Sequence, residues 1–200
     1  MIIESMIANP RFQTNSYWFG DTEKAEIVII DVGGNPHEIK RKFEKSNFKP
    51  IAIILTHSHP DHSAGALDLS QICKIPLYCH SNAFRVDVSD YPNVKFVKEP
   101  DVIEVGSEKL QIIDSPGHSP GGIMLVSFEN KLIFTGDTLF RGNIGRTDLP
   151  GSNFNTLMES IKKIMHDPRI TDDFAIFPGH GGKSDIDREK KTNMFRDNFL

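Results

Sequence analysis

The sequence predicts an α/β protein, and two patterns carry that prediction. Short apolar runs bounded by Gly, Pro, Asn or Asp recur along the chain, as buried strands do. Amphipathic stretches at 36–46, 64–72 and 155–166 alternate with them at helical spacing. A third observation bears on function: His and Asp residues collect where several apolar runs stop.

Met1–Ala8 and Ser16–Phe19 read as opening strands around a turn at Asn9-Pro10. Ala25–Ile30 is a clearer strand, and Asp31 stands at its end before Gly33-Gly34. That glycine pair is no phosphate loop, because GxGxxG is absent. A helix over Pro36–Ser46 follows, capped by Asn35, with Pro36 at its first position and Ile39 and Phe43 on one face. Ile51–Leu55 reads as a buried strand bounded by Pro50 and Pro60. Ala64–Ile72 reads as a helix, Pro76–Cys79 as a strand and Ser81–Asp87 as a helix. Short strands then dominate: Val94–Val97, Val102–Val105, Leu110–Asp114, Ile123–Phe128 and Leu132–Thr135, the last two joined at Glu129-Asn130. A glycine-rich loop over Gly142–Ser152 leads to a helix at Asn155–His166 and a strand at Phe174–Phe177. A helix over Asp187–Phe195 closes the chain, its charges forming a solvated face.

The stretch Thr56-His57-Ser58-His59-Pro60-Asp61-His62 is where chemistry concentrates. In extended chain alternate side chains share a side, so His57 and His59 can grip one ion. Asp61 and His62, beyond the proline bend, reach a second point nearby. Three imidazoles and a carboxylate so close together need neutralising partners, and all four are ligand types for zinc, iron or manganese. His118, Asp137 and His180 occupy the same setting, each leaving an apolar strand through a turn of small residues. That arrangement brings distant residues to one edge of a sheet, and seven ligands suffice for two metal ions.

Length and charge exclude other classes. Two hundred residues suit one domain, taken as 1–200, with a sizeable core. A net charge of −4 argues against nucleic acid, which needs a basic face to displace counterions. No apolar stretch is long enough to span a bilayer, and the N-terminus shows no signal-peptide pattern. Cys73 and Cys79, without CxxC spacing, suit buried thiols in a reducing compartment. A cytoplasmic location is therefore expected. His37, His80 and His166 have surface or helix-end settings and no partner motif.

HxHxDH followed by single His, Asp and His at strand ends resembles the metallo-β-lactamase superfamily. Thr135–Ser152, TGDTLFRGNIGRTDLPGS, and the ending PGHGGKS are similar to the short glyoxalase II-like hydrolases. The resemblance implies an αβ/βα four-layer sandwich, two mixed sheets flanked by helices with metals at one edge. It further implies that His57, His59 and His118 hold one metal, Asp61, His62 and His180 a second, and that Asp137 bridges them. Asp61 and Asp137 take the catalytic roles, and two divalent ions, zinc foremost with iron or manganese as substitutes, are the cofactors. Asp31 is expected behind them, bonded to a liganding histidine or to the motif backbone.

The expected activity is hydrolysis of a small-molecule thioester of a glutathione-like thiol. A metal pair lowers the pKa of a shared water from ~15.7 to about 7. A thiolate, with a pKa near 8.5, departs without a general acid. Arg146 falls where the resemblance implies a basic residue against a substrate carboxylate; pairing with Asp148 is its structural alternative. A persulfide dioxygenase is the competing reading, with one iron on His57, His118 and Asp137. A serine hydrolase is disfavoured although Gly117–Gly121 spells GxSxG, because the apolar Ile123–Phe128 suits a strand and not the helix that a Ser119 elbow requires. A β-lactamase is disfavoured by Asp137, which stands where those enzymes usually carry cysteine. Nucleases of the superfamily carry basic surfaces and extra domains that this sequence does not show. Two departures touch the thiol carrier. The sequence ends twenty residues after His180, without the helical extension of longer glyoxalase II enzymes, and Gly182 replaces their tyrosine.

Overall fold

Alternate residues of the central strands pack into different cores, and this divides the molecule into layers. The structure, a computed structural model, describes residues 1–83 and 91–200. One sheet runs, in spatial order, β1 (Ile2–Asn9), β2 (Thr14–Gly20), β3 (Glu26–Ile30), β4 (Lys49–Ile54), β5 (Leu77–His80) and β6 (Val94–Val97). Its first pairs are antiparallel, and β3 to β6 run parallel. The second sheet contains β7 (Val102–Val105), β8 (Glu108–Asp114), β9 (Ile123–Ser127), β10 (Leu132–Gly136), β13 (Ala175–Pro178) and β14 (Ser184–Asp185), in the order β14-β13-β10-β9-β8-β7. Only β10 and β13 pair in parallel there. A separate ribbon pairs β11 (Leu139–Phe140) with β12 (Asn143–Ile144).

Val28, Ile30 and Ile54 face inward and meet Leu110, Ile112, Leu125, Phe134 and Phe177 between the sheets. Ile27, Ile29, Ile53 and Leu55 point the other way, onto Ile39 and Phe43 of α1 (Pro36–Lys45) and Leu69 of α3 (Ala66–Cys73). Ile113, Met124, Val126, Ile133 and Ile176 meet Leu157, Ile161 and Ile164 of α4 (Phe154–His166). These three cores make the αβ/βα sandwich. Each fully buried Ile, Leu or Phe contributes roughly 1.5–3 kcal/mol before chain entropy is counted.

The helices start where their caps dictate. The side chain of Asn35 accepts from the His37 N–H ahead of Pro36, and Asn153 accepts from the Thr156 N–H ahead of α4. Three expectations change. Pro50 lies inside β4 and not before it, and a register shift beside it accommodates the missing N–H. The motif at 56–62 contains a four-residue helix, α2 (Pro60–Ser63), started by Pro60. The closing helix is two pieces, α5 (Ile186–Thr192) and α6 (Arg196–Phe199). The break falls at Asn193, whose side chain bonds Glu189 and the Asn143 carbonyl. Of the helix expected at Ser81–Asp87, residues 84–87 lie outside those described.

Candidate metal centre

The parallel pairing of β3 with β4, and of β10 with β13, sends their C-terminal ends to the same edge of the sandwich. A backbone bond from the Ile123 N–H to the Thr56 carbonyl (2.8 Å) and one from Gly179 to Gly136 (2.8 Å) knit that edge. His57 and His59 follow β4, and Asp61 and His62 sit on α2. His118 follows β8, Asp137 follows β10, and His180 follows β13. The structure brings all seven together. His57, His59 and His118 form one cluster of mutually close donor atoms, and Asp61, His62 and His180 form another. The Asp137 carboxylate lies between, with Oδ1 3.2 Å from His62 Nε2 and Oδ2 3.5 Å from His118 Nε2 and 3.4 Å from His180 Nε2.

The donor chemistry fits a metal. His118 Nδ1 lies 2.9 Å from the Arg146 carbonyl, and His180 Nδ1 lies 3.0 Å from that of Phe12. A carbonyl only accepts, so each Nδ1 carries the proton and donates it. His62 Nδ1 faces Asp31 Oδ2 at 2.8 Å, and His57 Nδ1 faces Thr56 Oγ1 at 3.2 Å. That hydroxyl donates its own proton to Asp31 Oδ2 (2.7 Å) and so accepts from His57. In all four rings Nε2 is the nitrogen that faces the site, where a metal ion would take its lone pair in place of a proton. His57 Nε2 is buried with no hydrogen-bond partner among the described residues, and Asp137 Oδ1 likewise accepts no hydrogen bond there. Unpaired buried polar atoms are rare and costly unless something else meets them. His59 Nδ1 and His118 Nε2 are 2.9 Å apart, His62 and His180 Nε2 3.2 Å. Two nitrogens on a tetrahedral ion at about 2.0–2.1 Å would stand about 3.3 Å apart. The cluster therefore has the donor type, direction and spacing that a divalent-metal site needs.

Charge is distributed unevenly over it. Burial, reinforced by neighbouring imidazoles, holds His57 well below the usual histidine range, and burial with His118 lowers His59. Burial also opposes charge on His62, but the Asp137 and Asp31 carboxylates outweigh it and hold that ring well above its ordinary value. His180, against the same opposing burial, is raised to about 10 by Asp137 and Asp61. Burial disfavours charge on Asp137 and Asp61; the surrounding histidines prevail and keep both carboxylates ionised.

Asp31 is buried and makes both kinds of contact behind the site, to the His62 ring and to the Thr56 N–H (2.8 Å). Its φ of +61° is left-handed, a conformation that non-glycine residues rarely adopt. Gly33 follows because a Cβ there would lie 1.4 Å from the Asp61 carbonyl. Arg146 lines the same cavity, of about 710 Å³, with Phe12, Pro120 and Leu149. Its exposed guanidinium grips Asp148 through two bonds of 2.6 and 2.7 Å. Ser119 is buried, and β9 follows it, so no nucleophile elbow exists. Sequence reading passed over Thr14, Asn15 and Tyr17, which bond Asp61 and the loop at His180. Their signal was a polar triplet, Thr14-Asn15-Ser16, at the mouth of an apolar strand.

Comparison with known proteins decides the family. The profile of the Metallo-beta-lactamase superfamily matches residues 9–180. The chain belongs to the metallo-β-lactamase superfamily. Among its superfamily relatives, hydroxyacylglutathione hydrolase GloC of Haemophilus influenzae is 32% identical over 201 residues, covering 92% of this chain and 93% of GloC. The crystal structure of the B3 metallo-β-lactamase BLEG-1 superposes with a TM-score of 0.85 at 27% identity, covering 98% of this chain and 99% of BLEG-1. That of TTHA1623 in a di-iron-bound form gives 0.82 at 29%, covering 98% of this chain and all of that one. Kinship thus places the chain in a superfamily of metallo-hydrolases.

Proposed function

We propose that the protein is a dinuclear metal hydrolase acting on small-molecule thioesters of the hydroxyacylglutathione type, with zinc at both sites. The position of Asp137 carries this reading: one largely enclosed carboxylate faces the donor atoms of both histidine clusters. His57, His59 and His118 would hold one ion, Asp61, His62 and His180 the other, and Asp137 would span them. When bound, such a pair supplies a water ionised near neutral pH and a Lewis acid for the acyl carbonyl. Asp61 and Asp137 act in catalysis through the ions they hold, both being kept ionised by their histidine neighbours. Phe12, Pro120, Leu149 and Pro150 wall the cavity with apolar surface that displaces bulk water from a bound acyl group. A thiolate leaves without a dedicated acid, which suits a site whose carboxylates are both held ionised. Arg146 stands at the rim, able to turn from Asp148 to a substrate carboxylate.

The similarity to GloC supports the thioester, and that to TTHA1623 supports two ions, with iron as the rival metal. A mononuclear iron on His57, His118 and Asp137 would leave the converging Asp61, His62 and His180 without a task, so the dioxygenase reading is second. The reading takes residues 1–200 as one cytoplasmic domain; among the described residues no helix is long and apolar enough to cross a membrane. The test is metal analysis of purified protein beside turnover of a hydroxyacylglutathione, glutathione persulfide and a β-lactam. Two ions per chain with thioester cleavage is expected. One iron with persulfide oxidation, or turnover of the β-lactam alone, would overturn the proposal.

A further inference from the structure

The two metal clusters are braced by different parts of the chain, and the difference is written in β2. A strand points successive side chains to opposite faces. Trp18 packs toward the helices and Tyr17 packs between the sheets. Extending that alternation backwards puts Thr14 on the face of Trp18 and Asn15 on the face of Tyr17. The bonds follow suit. Thr14 Oγ1 donates to Asp61 Oδ2 at 3.1 Å on α2. Asn15 Nδ2 donates to the carbonyls of Pro178 (2.9 Å) and Gly181 (3.0 Å), bracketing His180. Its backbone N–H donates to the Gly179 carbonyl (2.8 Å), and Tyr17 adds a bond from its hydroxyl to Pro178 (2.7 Å). Two residues before Thr14, the Phe12 carbonyl accepts from His180 Nδ1. Among the described residues no hydrogen bond joins 12–15 to His57, His59 or His118.

Building on the dinuclear reading, we propose that Thr14 and Asn15 are positioning residues for the second metal only, Thr14 acting through Asp61 and Asn15 through the His180 loop. Both are buried, Thr14 completely, so their bonds are shielded from competing water. Neither side chain offers the metal a donor in this arrangement. They fix where two of its three terminal ligands stand, and orienting partners of this kind set metal affinity by about 10–100-fold.

The experiment is zinc binding by equilibrium dialysis, with thermal melting as the control for folding. Wild type should bind two zinc ions. Asn15→Asp keeps the shape and turns two donors into acceptors facing carbonyls; Thr14→Val keeps the shape and removes the hydroxyl. Each should weaken the second zinc about 10–100-fold and leave the first unchanged, and Thr14→Ser, which keeps the hydroxyl, should bind both zincs as wild type does. In a His180→Ala background Asn15→Asp should have no further effect. If Asn15→Asp fails to fold, the Thr14 pair decides the matter. Equal weakening of both zincs, or none, overturns the positioning role while the dinuclear reading stands. Wild type binding fewer than two ions overturns the dinuclear reading and this inference with it.

Discussion

Replacing Asp31 by Asn tests whether the site is held from behind. Asn is nearly isosteric and tolerates the left-handed φ of +61° at this position, so backbone strain does not enter. What changes is hydrogen bonding. The carboxylate accepts three donors at 2.7–2.8 Å, namely the Thr56 N–H, the Thr56 hydroxyl and His62 Nδ1. An amide oxygen can keep those on one side, and the NH2 on the other then meets donors. Setting a buried donor against a donor costs about 1–3 kcal/mol for each original donor that loses its acceptor. Oδ2 serves two of the three, so burying the NH2 there leaves two groups unpaired and the loss is about 2–6 kcal/mol. Turning the amide over leaves one unpaired, about 1–3 kcal/mol, and places the oxygen at His62. The variant will take that cheaper arrangement, which predicts a stability loss of about 1–3 kcal/mol, concentrated at the start of the 56–62 motif. Urea unfolding measures this, and zinc titration should show affinity lower by about 10–100-fold. A variant within about 0.5 kcal/mol of wild type, with zinc binding intact, would refute the reasoning.

Three further substitutions have outcomes set by the contacts of the residue changed. Gly179→Ala would place a Cβ 2.3 Å from Asp137 Oδ1 and 2.6 Å from the His62 ring; activity should fall by about two orders of magnitude with loss of metal, read by metal analysis. Arg146→Ala should raise KM for a thioester whose thiol bears a carboxylate and leave kcat and metal content unchanged. The exposed ion pair with Asp148 contributes little stability, and the carbonyl that holds His118 is retained. Asp21 is lowered from 3.8 to about 2, chiefly by the N–H groups of Ser107 and Glu23. A depressed carboxylate stabilises above its unfolded pKa and loses that contribution as pH falls through the folded one. The urea midpoints of wild type and Asp21→Asn should therefore differ at pH 6 and converge between pH 4 and pH 2.

The sandwich was legible because strands and helices leave different hydrophobic periods. Ile27 and Ile29 alternate with Val28 and Ile30 into two cores, and Ile39 and Phe43 lie four apart. The candidate ligands were legible because His and Asp cluster after apolar runs. The supports were less so. Thr14 and Asn15 are buried by partners far along the chain, at Asp61 and at 178–181; the polar triplet at 14–16 marks the residues but not their partners. The break at Asn193 has the same cause, since its partners are Glu189 and the distant Asn143 carbonyl. Strands of two residues, such as β11 and β12, are too short to show any period.

The division of ligands between the sheets explains why these supports are buried and not exposed. Sheet one supplies His57, His59, Asp61 and His62; sheet two supplies His118, Asp137 and His180. Ligand spacing is then set by how the sheets pack, and a slip of a fraction of an ångström between them would spoil the pairs at 2.9 and 3.2 Å. Apolar packing resists compression but is weakly directional, so the core between the sheets does not fix their sliding by itself. Directional bonds across the gap do. Asn15 and Tyr17 on β2 reach Pro178 at the end of β13, and the Ile123 N–H reaches the Thr56 carbonyl. These bonds lie at the edge where the ligands converge, so the register between the sheets is pinned where the chemistry depends on it.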